Sequence, residues 1–286
     1  MIIDQHTALY GVVGFPLKHS LSPVMHNAAF IAKGLNAVYL AFETMDLEGC
    51  IQGMKALGIK GMSVTIPHKS EVIGLLDEVD DLAKRIGAVN TIFNDHGRLV
   101  GYNTDATGAL RALEDGIDLS GKTCLIIGAG GAARAIGFVL RDRGVRVTIA
   151  NRTTKRGEEL ANFLDCSFLP LKEIKSIKAD ILIHATPVGL HPNIEQCIIA
   201  QDAMHERMTV MDIVYNPIET KLLRMARSLN CLTINGLGMF VHQGAEQFRL
   251  WTGLEAPLSH MAARVKKTLG DIHEGDSGQA ARERDP

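Results

Sequence analysis

Three polar side chains with possible acid–base or hydrogen-bonding roles follow apolar runs in the first part of the chain. Thr65 and Lys69 stand at the end of the run at residues 62–66, and Asp105 directly precedes a helical pattern at residues 106–113. A lysine in the first turn of a helix opposes the helix macrodipole, so it does not stabilise the helix and suits a group that exchanges a proton. The alternatives are an ordinary surface position for Lys69 and a helix N-cap for Asp105.

Two serines follow the first apolar run of the chain. Ser20 and Ser22 lie in the segment GFPLKHSLSP, and Ser22-Pro23 is typical of an N-cap followed by proline at the first helical position. Ser22 could therefore be only a cap, and Ser20 only a turn residue. Two hydroxyls at a helix N-terminus beyond a strand end also form a pocket that suits a carboxylate.

An apolar strand, a glycine turn and a helical pattern follow one another at residues 123–143. Gly128 permits a tight turn, Gly130 lets the backbone approach a pyrophosphate, and Ala133 is small enough for the helix to pack closely on the strand. The helix N-terminus offers free N–H groups to a phosphate. The pattern predicts that a dinucleotide binds at Gly128, Ala129, Gly130, Gly131 and Ala132.

The end of the next predicted strand distinguishes between two dinucleotides. NAD-binding proteins usually have an acidic residue there for the ribose 2′-hydroxyl, whereas this chain has Asn151, Arg152 and Thr153. Arg152 can stack on adenine or pair with a 2′-phosphate, and Lys155 and Arg156 add cationic donors. We therefore predict NADP rather than NAD. For Lys155 and Arg156, a solvated helix face is the alternative.

Further polar groups lie in the segments GAVNT and GYNTDATG, which contain Asn90 and Asp105. Hydroxyls, an amide, a lysine and a carboxylate thus all fall at predicted strand ends within one part of the chain, next to a dinucleotide-binding unit. This combination indicates a site for an acid with several hydroxyl groups beside a hydride carrier.

The elements that must position these groups alternate between short β-branched runs and helical patterns, as in α/β proteins. In the first series, strands are predicted at residues 9–14, 37–43, 62–66 and 89–94, and helices at 23–33, 47–57 and 80–86. In the second, strands are predicted at 123–127, 145–150, 181–184 and 209–213, and helices at 132–143 and 155–164. We expect a mainly parallel sheet in the first domain and a Rossmann-type second domain.

Two late helical patterns, at residues 239–251 and 257–267, have no strand after them, so we expect them to pack back onto the first domain. The last residues have few apolar side chains and cannot offset their ordering entropy by burial. The predicted division is a substrate-binding and catalytic domain at 1–105 plus 239–270, a Rossmann-type NADP-binding domain at 106–238 and a disordered tail at 271–286.

The overall composition excludes several other classes of protein. A net charge of −2 over 286 residues argues against nucleic-acid or membrane-surface partners and favours a small-molecule substrate. Five scattered cysteines without a paired motif fit reduced thiols, and no histidine or cysteine spacing indicates a metal. The N-terminal residues lack the pattern of a signal peptide. We expect a cytoplasmic monomer or homodimer.

Over nearly the whole chain to about residue 270, the order and spacing of these motifs resemble the shikimate dehydrogenase family. The matching segments are GFPLKHSLSPVMHN, GMSVTIPHK, GAVNT, GYNTDATG, GAGGAARA, NRTTKR, ATPVGL, DIVYNPIET and GLGMFVHQGAEQFRLWTG. The resemblance implies NADPH-dependent, reversible interconversion of 3-dehydroshikimate and shikimate.

The resemblance also implies roles for individual residues. Lys69 would be the acid–base group, and Asp105 would hold both this lysine and a substrate hydroxyl. Ser20 and Ser22, joined by Tyr215, would bind the substrate carboxylate. Ring hydroxyls or the carbonyl would be bound by Thr65, Asn90, Asp105 and Gln243. The nicotinamide half of the cofactor site would be lined by Thr186, Ile213, Gly236 and Met239.

The chain departs from the family's usual pattern in three segments. Asn is usual at Ser63, Asn-Ala-Thr-Ser at the segment from His184 to Pro187, and Met-Leu at Met239-Phe240. Ser63 and Phe240 leave open how strongly shikimate is preferred to quinate.

Three other functions are compatible with parts of the sequence: a quinate or quinate/shikimate dehydrogenase, a folate-linked dehydrogenase that shares the nucleotide half, and a non-catalytic NADP-binding module. Arg152 weighs against an NAD-linked quinate enzyme, and the two serines favour a small carboxylate over a folate. The presence of both Lys69 and Asp105 weighs against a module that only binds.

Overall fold

Two six-stranded sheets form the framework of the chain in this computed structural model, which describes the backbone of residues 3–282 and the side chains of residues 3–272. The first sheet contains β1 (Ala8–Gly14), β2 (Ala37–Glu43), β3 (Gly61–Val64), β4 (Glu78–Val79), β5 (Thr91–Asp95) and β6 (Arg98–Tyr102). The second contains β7 (Thr123–Ile127), β8 (Arg146–Asn151), β9 (Ser167–Pro170), β10 (Ile181–His184), β11 (Thr209–Asp212) and β12 (Leu232–Ile234). The α/β class predicted from the sequence is confirmed.

Helices flank both sheets and connect them. They are α1 (Ser22–Ala32), α2 (Leu47–Ala56), α3 (Asp81–Ile86), α4 (Thr104–Glu114), α5 (Gly131–Asp142), α6 (Thr154–Phe163), α7 (Lys221–Ser228), α8 (Gly236–Thr252) and α9 (Leu258–Arg282). Helix α4 lies between β6 and β7 in the chain and packs against both α5 and α8. It therefore joins the two halves of the molecule.

The first sheet, in the order β2-β1-β3-β5-β6-β4, is parallel except around one hairpin. Strand β5 runs antiparallel to β3 and β6, whereas β1 is parallel to both of its neighbours and β4 is parallel to β6. The β5–β6 turn places His96 and Gly97 at φ values of 52° and 97°. These left-handed conformations match the twist of a tight hairpin. The sequence prediction of a mainly parallel sheet did not include β6.

Helices α8 and α9 correspond to the two late helical patterns of the sequence, and they pack on the first sheet side. Phe248 and Trp251 of α8 and Met261 of α9 share a buried apolar cluster with Tyr10 and Phe30. Gly61 permits this close packing, because a β-carbon added to it would lie 2.4 Å from the Trp251 ring nitrogen. The Trp251 ring nitrogen donates to the Ile92 carbonyl at 3.0 Å. The last helices are therefore structurally part of the first half of the molecule.

The second sheet is parallel throughout, in the order β12-β11-β10-β7-β8-β9. Its central strand β7 is apolar because both faces are covered. Ala133, Ile136 and Leu140 of α5 recur at helical spacing and are buried against one face. Helix α7 lies between β11 and β12 and was not predicted. The carboxyl ends of β7, β8, β10 and β11 meet at one edge of the sheet.

The C-terminal segment differs from its prediction. Helix α9 continues to Arg282, so residues 271–282 are helical rather than disordered, and residues 283–286 of the predicted tail lie outside the described residues. Met261, Val265 and Leu269 anchor this helix in a buried apolar cluster, and because helical hydrogen bonds are local, its backbone continues from this anchor. Within the described part of the chain, no helix has the length and apolar character to cross a membrane.

Candidate active site

Lys69 and Asp105, which stand 36 residues apart in the sequence, form an ion pair at the edge of the first sheet. Lys69 Nζ lies 2.5 Å from Asp105 Oδ2, and the two side chains are 16% and 9% exposed. Lys69 precedes the short 3-10 helix Glu71–Leu75 in a turn after β3. The prediction that it stands in the first turn of a helix is wrong, so the macrodipole argument does not apply. Its position follows from the turn and from its carboxylate partner.

Asn90 orients the carboxylate of Asp105. The Asn90 amide nitrogen donates to Asp105 Oδ1 at 2.9 Å, while its carbonyl oxygen accepts the Thr104 N–H at 2.7 Å. The helix N-cap is Asn103, whose side chain accepts from the Ala106 N–H, and Asp105 lies inside the first turn of α4. The alternative of Asp105 as an N-cap is therefore excluded. We call Lys69, Asp105 and Asn90 the lysine cluster.

The two serines and the tyrosine predicted to bind a carboxylate lie around one short segment. Helix α1 begins at Ser22 itself, with Leu21 as the N-cap residue and without a side-chain cap. The N-cap prediction for Ser22 is therefore wrong, and its side chain lies near the Tyr39 hydroxyl, whose pKa it lowers against the larger, opposing effect of burial. The Ser20 hydroxyl accepts from the Ser22 N–H at 3.4 Å. Both serines are partly exposed and can reach a ligand.

Tyr215 reaches the serine segment from the second half of the chain. Its hydroxyl lies near the main chain of Leu21, and desolvation raises the pKa of this tyrosine to about 12. A phenol with a raised pKa stays protonated at neutral pH and can donate to an anion. The Phe240 ring stacks on Tyr215, with centroids 4.3 Å apart and planes inclined by 19°. Phe240, one of the departures from the family pattern, therefore supports Tyr215.

Behind the lysine cluster lies a buried hydrogen-bond network that the sequence analysis missed. Tyr39 donates to Ser63 at 2.6 Å, Ser63 donates to Gln247 Oε1 at 2.9 Å, and Gln247 Nε2 donates to Thr91 at 2.9 Å. His26 Nε2 lies 3.2 Å from the same Gln247 oxygen. Ser63, a departure from the family pattern, is therefore held by two buried partners.

The signal for this network was weak because its five members lie on five different elements, α1, β2, β3, β5 and α8. Gln247 follows Gln243 by four residues and lies on a neighbouring position of the same helix face, which is the sequence feature that could have indicated it. Burial raises the pKa of Tyr39 and lowers the pKa of His26 to about 3. Both groups are therefore neutral at physiological pH.

Thr65 and Gln243, the two other predicted substrate ligands, border the same region. Thr65 follows β3, and a β-carbon on Gly14 would lie 2.4 Å from its methyl group, so the glycine allows β1 to approach it. Gln243 lies on α8 where this helix meets α4, since a β-carbon added to Gly108 of α4 would lie 2.8 Å from the β-carbon of Gln243. Its amide donates to the Phe240 carbonyl at 2.9 Å. Both side chains are partly exposed.

The glycine turn has the geometry of a phosphate cradle. Gly128 has φ of 125°, and a β-carbon there would lie 2.5 Å from the Ala185 carbonyl oxygen. Apart from Gly130 itself and its two chain neighbours, no heavy atom of the described residues lies within 4 Å of the position of a β-carbon on Gly130, so this side of the turn is open. Helix α5 begins at Gly131 without a side-chain cap, and its first N–H groups remain available to an anion. The residues present therefore fit a dinucleotide pyrophosphate.

The glycine turn and the lysine cluster are direct neighbours. A β-carbon on Gly131 would lie 3.1 Å from Cδ of Lys69. Arg134, one turn further along α5, donates to the Ile86 carbonyl at the end of α3, and its guanidinium lies 3.5 Å from the centre of the Phe163 ring. The two halves thus meet at one groove, where the predicted proton-exchanging group faces the predicted cofactor turn.

The residues predicted to distinguish NADP from NAD lie at the far side of the turn. Gly128 N–H donates to the Ala150 carbonyl at 2.8 Å, which places the end of β8 directly beside the turn. Arg152, Thr153, Lys155 and Arg156 follow it, and all four are exposed. Asn151 is partly exposed and its amide donates to the Thr153 carbonyl at 2.9 Å. We call these five residues the basic edge.

The four residues predicted to line the nicotinamide half lie at the carboxyl ends of β10 and β11 and the start of α8. The methyl group of Thr186 would lie 3.2 Å from a β-carbon on Gly128. Gly236 allows α8 to approach Ile213, because a β-carbon added to this glycine would lie 2.3 Å from the Ile213 carbonyl oxygen. The Met239 carbonyl oxygen would lie 2.8 Å from a β-carbon on Gly108 of α4. Among the described residues, no group of His, Cys, Asp and Glu side chains is arranged to hold a metal.

Three family models match successive parts of the chain. They describe the shikimate dehydrogenase substrate binding domain at residues 12–92, shikimate/quinate 5-dehydrogenase at 109–235 and the shikimate 5′-dehydrogenase C-terminal domain at 236–266. The first model ends in β5 and the second begins within α4, while the second and third models meet at the start of α8.

Individual relatives agree with these models. Shikimate dehydrogenase (NADP(+)) of Moorella thermoacetica is 45% identical over 282 residues, which cover 94% of this chain and 96% of the relative. A crystal structure of a shikimate dehydrogenase in complex with NADP+ has a TM-score of 0.90 and 45% identity, covering 94% and 98% of the two chains. The Thermus thermophilus enzyme in complex with NADP(H) and shikimate has a TM-score of 0.85 and 38% identity, covering 91% and 99%. The chain therefore belongs to the shikimate dehydrogenase family.

Proposed function

We propose that this chain catalyses the reversible, NADP-dependent interconversion of shikimate and 3-dehydroshikimate. The observation that carries the proposal is the Lys69–Asp105 ion pair, 2.5 Å long, lying directly against Gly131 of the glycine turn. A dehydrogenase must exchange a proton with the substrate oxygen beside the point of hydride transfer. Only an enzyme, and not a binding module, needs an acid–base pair at that place.

In this proposal Lys69 is the acid–base group. In the direction of reduction, it donates a proton from Nζ to the substrate oxygen on which negative charge develops, and it takes the proton back in oxidation. Asp105 holds the ammonium group and accepts from a substrate hydroxyl, while Asn90 fixes the second oxygen of this carboxylate. When bound, the nicotinamide cofactor supplies or receives the hydride.

The substrate carboxylate and ring hydroxyls bind to separate groups. Ser20, Ser22 and the Tyr215 hydroxyl donate to the carboxylate, supported by the convergence of Ser22 and Tyr215 on the Leu21 segment. Thr65 and Gln243, which border the lysine cluster, and Asn90 within it bind ring hydroxyls or the carbonyl. This arrangement fixes the ring at both ends, which is the positioning that lowers the entropic part of the barrier.

The cofactor is assigned to the second half of the groove. The pyrophosphate binds at Gly128, Ala129, Gly130, Gly131 and Ala132, and the 2′-phosphate at the basic edge. The nicotinamide half is lined by Thr186, Ile213, Gly236 and Met239. The corresponding division is a catalytic domain at residues 1–105 plus 239–270 and an NADP-binding domain at 106–238, with the groove between them. The monomeric or homodimeric state and the cytoplasmic location stay predictions.

The test is steady-state turnover of the purified chain with shikimate or quinate, each with NADP or NAD, followed by absorbance of the reduced cofactor. The expected result is the highest kcat/KM for shikimate with NADP. A higher kcat/KM for quinate would transfer the proposal to a quinate dehydrogenase, which the departure from the family pattern at Ser63 leaves open. The absence of turnover with both acids and both cofactors would refute the proposal.

A further inference from the structure

A chain of four hydrogen-bonded side chains runs from the cofactor turn into the core of the second sheet. Thr186 Oγ1 lies 2.5 Å from His184 Nε2, and His184 Nδ1 lies 2.9 Å from Asp212 Oδ1. Asp212 Oδ2 accepts from the Thr220 hydroxyl at 2.7 Å. His184, Asp212 and Thr220 are each at most 2% exposed, and only Thr186 reaches the groove.

The direction of these hydrogen bonds follows from Asp212, a carboxylate in the buried part of this series of side chains. Asp212 Oδ1 also accepts from the Val214 N–H at 3.0 Å, and a carboxylate can only accept, so its histidine partner Nδ1 carries the hydrogen. In a neutral imidazole Nε2 then has a lone pair and accepts from the Thr186 hydroxyl. The Val188 N–H donates to Thr186 Oγ1 at 3.3 Å. The Thr186 hydroxyl thus donates to His184 and accepts from Val188, which leaves one lone pair of its oxygen available to accept a further hydrogen bond.

We propose that His184 is a positioning residue that fixes the Thr186 hydroxyl as a hydrogen-bond acceptor for an N–H group of the bound cofactor. The inference rests on the proposed placement of Thr186 along the nicotinamide half of the site. That placement is supported by the closeness of Thr186 to the glycine turn, since its methyl group would lie 3.2 Å from a β-carbon added to Gly128. Without the imidazole, the hydroxyl can rotate and present its hydrogen to the groove instead of its lone pair.

Two substitutions of His184 distinguish the hydrogen bond made by its Nδ1 atom from the one made by its Nε2 atom. The side-chain nitrogen of His184→Asn can occupy the place of Nδ1 and keep Asp212 satisfied, but it does not reach Thr186. His184→Gln places its terminal atoms near the position of Nε2, so its carbonyl oxygen can accept from Thr186 while the Asp212 contact is lost. A role through Thr186 therefore predicts that Gln preserves cofactor binding better than Asn does, whereas a role in supporting Asp212 predicts the opposite order.

The readout is the Kd for NADP, measured by titration calorimetry, together with kcat and KM. We expect His184→Asn to weaken NADP binding about threefold to tenfold, the range for one lost hydrogen bond, and His184→Gln to change it by about twofold or less. His205→Asn, an exposed histidine of the same half, is the control and should bind NADP as the wild type does. Equal binding by wild type and His184→Asn, or weaker binding by Gln than by Asn, would overturn the inference.

A cycle with Thr186→Val distinguishes failure of this inference from failure of the proposed site. Thr186→Val keeps the side-chain shape and removes the hydroxyl, so it should weaken NADP binding as His184→Asn does, and the double variant should be no weaker than either single one. If Thr186→Val binds NADP normally, the placement of Thr186 is wrong. If it binds weakly but the effects of the two substitutions add, His184 does not act through Thr186.

Discussion

The lysine cluster and the basic edge lie on opposite sides of the glycine turn and hold their charges in opposite ways. In the lysine cluster, Lys69 and Asp105 neutralise one another at 2.5 Å and are largely buried, and Asn90 fixes the carboxylate from behind. At the basic edge, Arg152 and its neighbours extend into solvent. The first region is therefore preorganised by the fold, whereas the second would be completed only by the 2′-phosphate that we propose it binds.

This difference corresponds to two chemical tasks. A group that transfers a proton must be held within hydrogen-bonding distance of its reactant before the reaction begins, and buried partners provide that order. A group that recognises a phosphate forms its hydrogen bonds only when the ligand is present. In the absence of the ligand, an exposed cation stays hydrated and costs little folding free energy. The comparison predicts that substitutions in the lysine cluster change turnover, and that substitutions at the basic edge change cofactor affinity.

The largest effect is expected from Lys69→Ala. Loss of the proton-exchanging group should lower kcat for shikimate oxidation about 100-fold or more, because acid–base groups supply roughly 10² to 10⁴ in rate. The Kd for NADP should change by about twofold or less. The measurement is a steady-state kcat with saturating shikimate and NADP, with the Kd from calorimetry.

Lys60→Ala is the matched control, because Lys60 is an exposed lysine just before the same strand β3. It should retain the kcat of the wild type. A Lys69→Ala variant with normal kcat and a large rise in shikimate KM would instead make Lys69 a substrate ligand, and the contrast between the two regions would disappear.

Arg152→Asp should act on affinity rather than on rate. Loss of a charged contact to the 2′-phosphate, together with the new repulsion, should raise the Kd for NADP about 10-fold to 100-fold and leave NAD binding little changed. The control is Arg146→Asp, an exposed arginine at the opposite end of the same strand. Equal weakening of NADP and NAD would exclude a contact to the 2′-phosphate.

The buried network behind the lysine cluster should reveal itself in the pH dependence of stability. Burial lowers the pKa of His26 to about 3, so between its unfolded value and about pH 3 the unfolded state binds a proton that the folded state does not. The contribution of His26 to the free energy of unfolding is fully present above the pKa that this histidine has in the unfolded state. The contribution is lost as the pH falls toward the folded-state pKa. The slope is at most about 1.4 kcal/mol per pH unit.

His26→Gln should therefore lose less stability than the wild type when the pH is lowered from about 6 to about 4 in urea unfolding experiments. The exposed His205→Gln variant provides the comparison and should keep the slope of the wild type. If His26→Gln and the wild type have parallel pH profiles, the neutral buried histidine does not contribute to acid sensitivity.

The smallest effects are expected from Lys155→Ala and Arg156→Ala. Both side chains are exposed at the start of α6, so each should weaken NADP binding by about fivefold or less. The effect should decrease further at high salt, since exposed charges are screened. No change at low salt would assign both residues to a solvated helix face and restrict the basic edge to Arg152.

The amino-acid sequence predicted the class of fold and the family because those depend on local patterns. The glycine turn, the alternation of strands and helices and the family motifs are all contiguous in the chain. Arg152 was informative for the same reason, because its position relative to Gly128 is fixed by one strand–helix–strand unit.

What could not be predicted depends on contacts between distant segments. The Ser63–Gln247 bond joins residues 184 positions apart, and Tyr39 and His26 have no local signature for their polar partners. The cap predictions were wrong at both Ser22 and Asp105. Helix α1 begins at Ser22 with Leu21 as its N-cap residue, and the distant Lys69 binds the Asp105 carboxylate. His184 was noted only as a departure, and its role became apparent when β10 and β11 aligned it with Asp212.

The most direct test of the division between the two regions is to measure kcat and the NADP Kd of Lys69→Ala and Arg152→Asp side by side. We predict a kcat lowered about 100-fold or more with nearly unchanged Kd for Lys69→Ala. For Arg152→Asp we predict a Kd raised at least about tenfold with nearly unchanged kcat at saturating NADP. The reverse pattern, or the same pattern in both variants, would contradict the account.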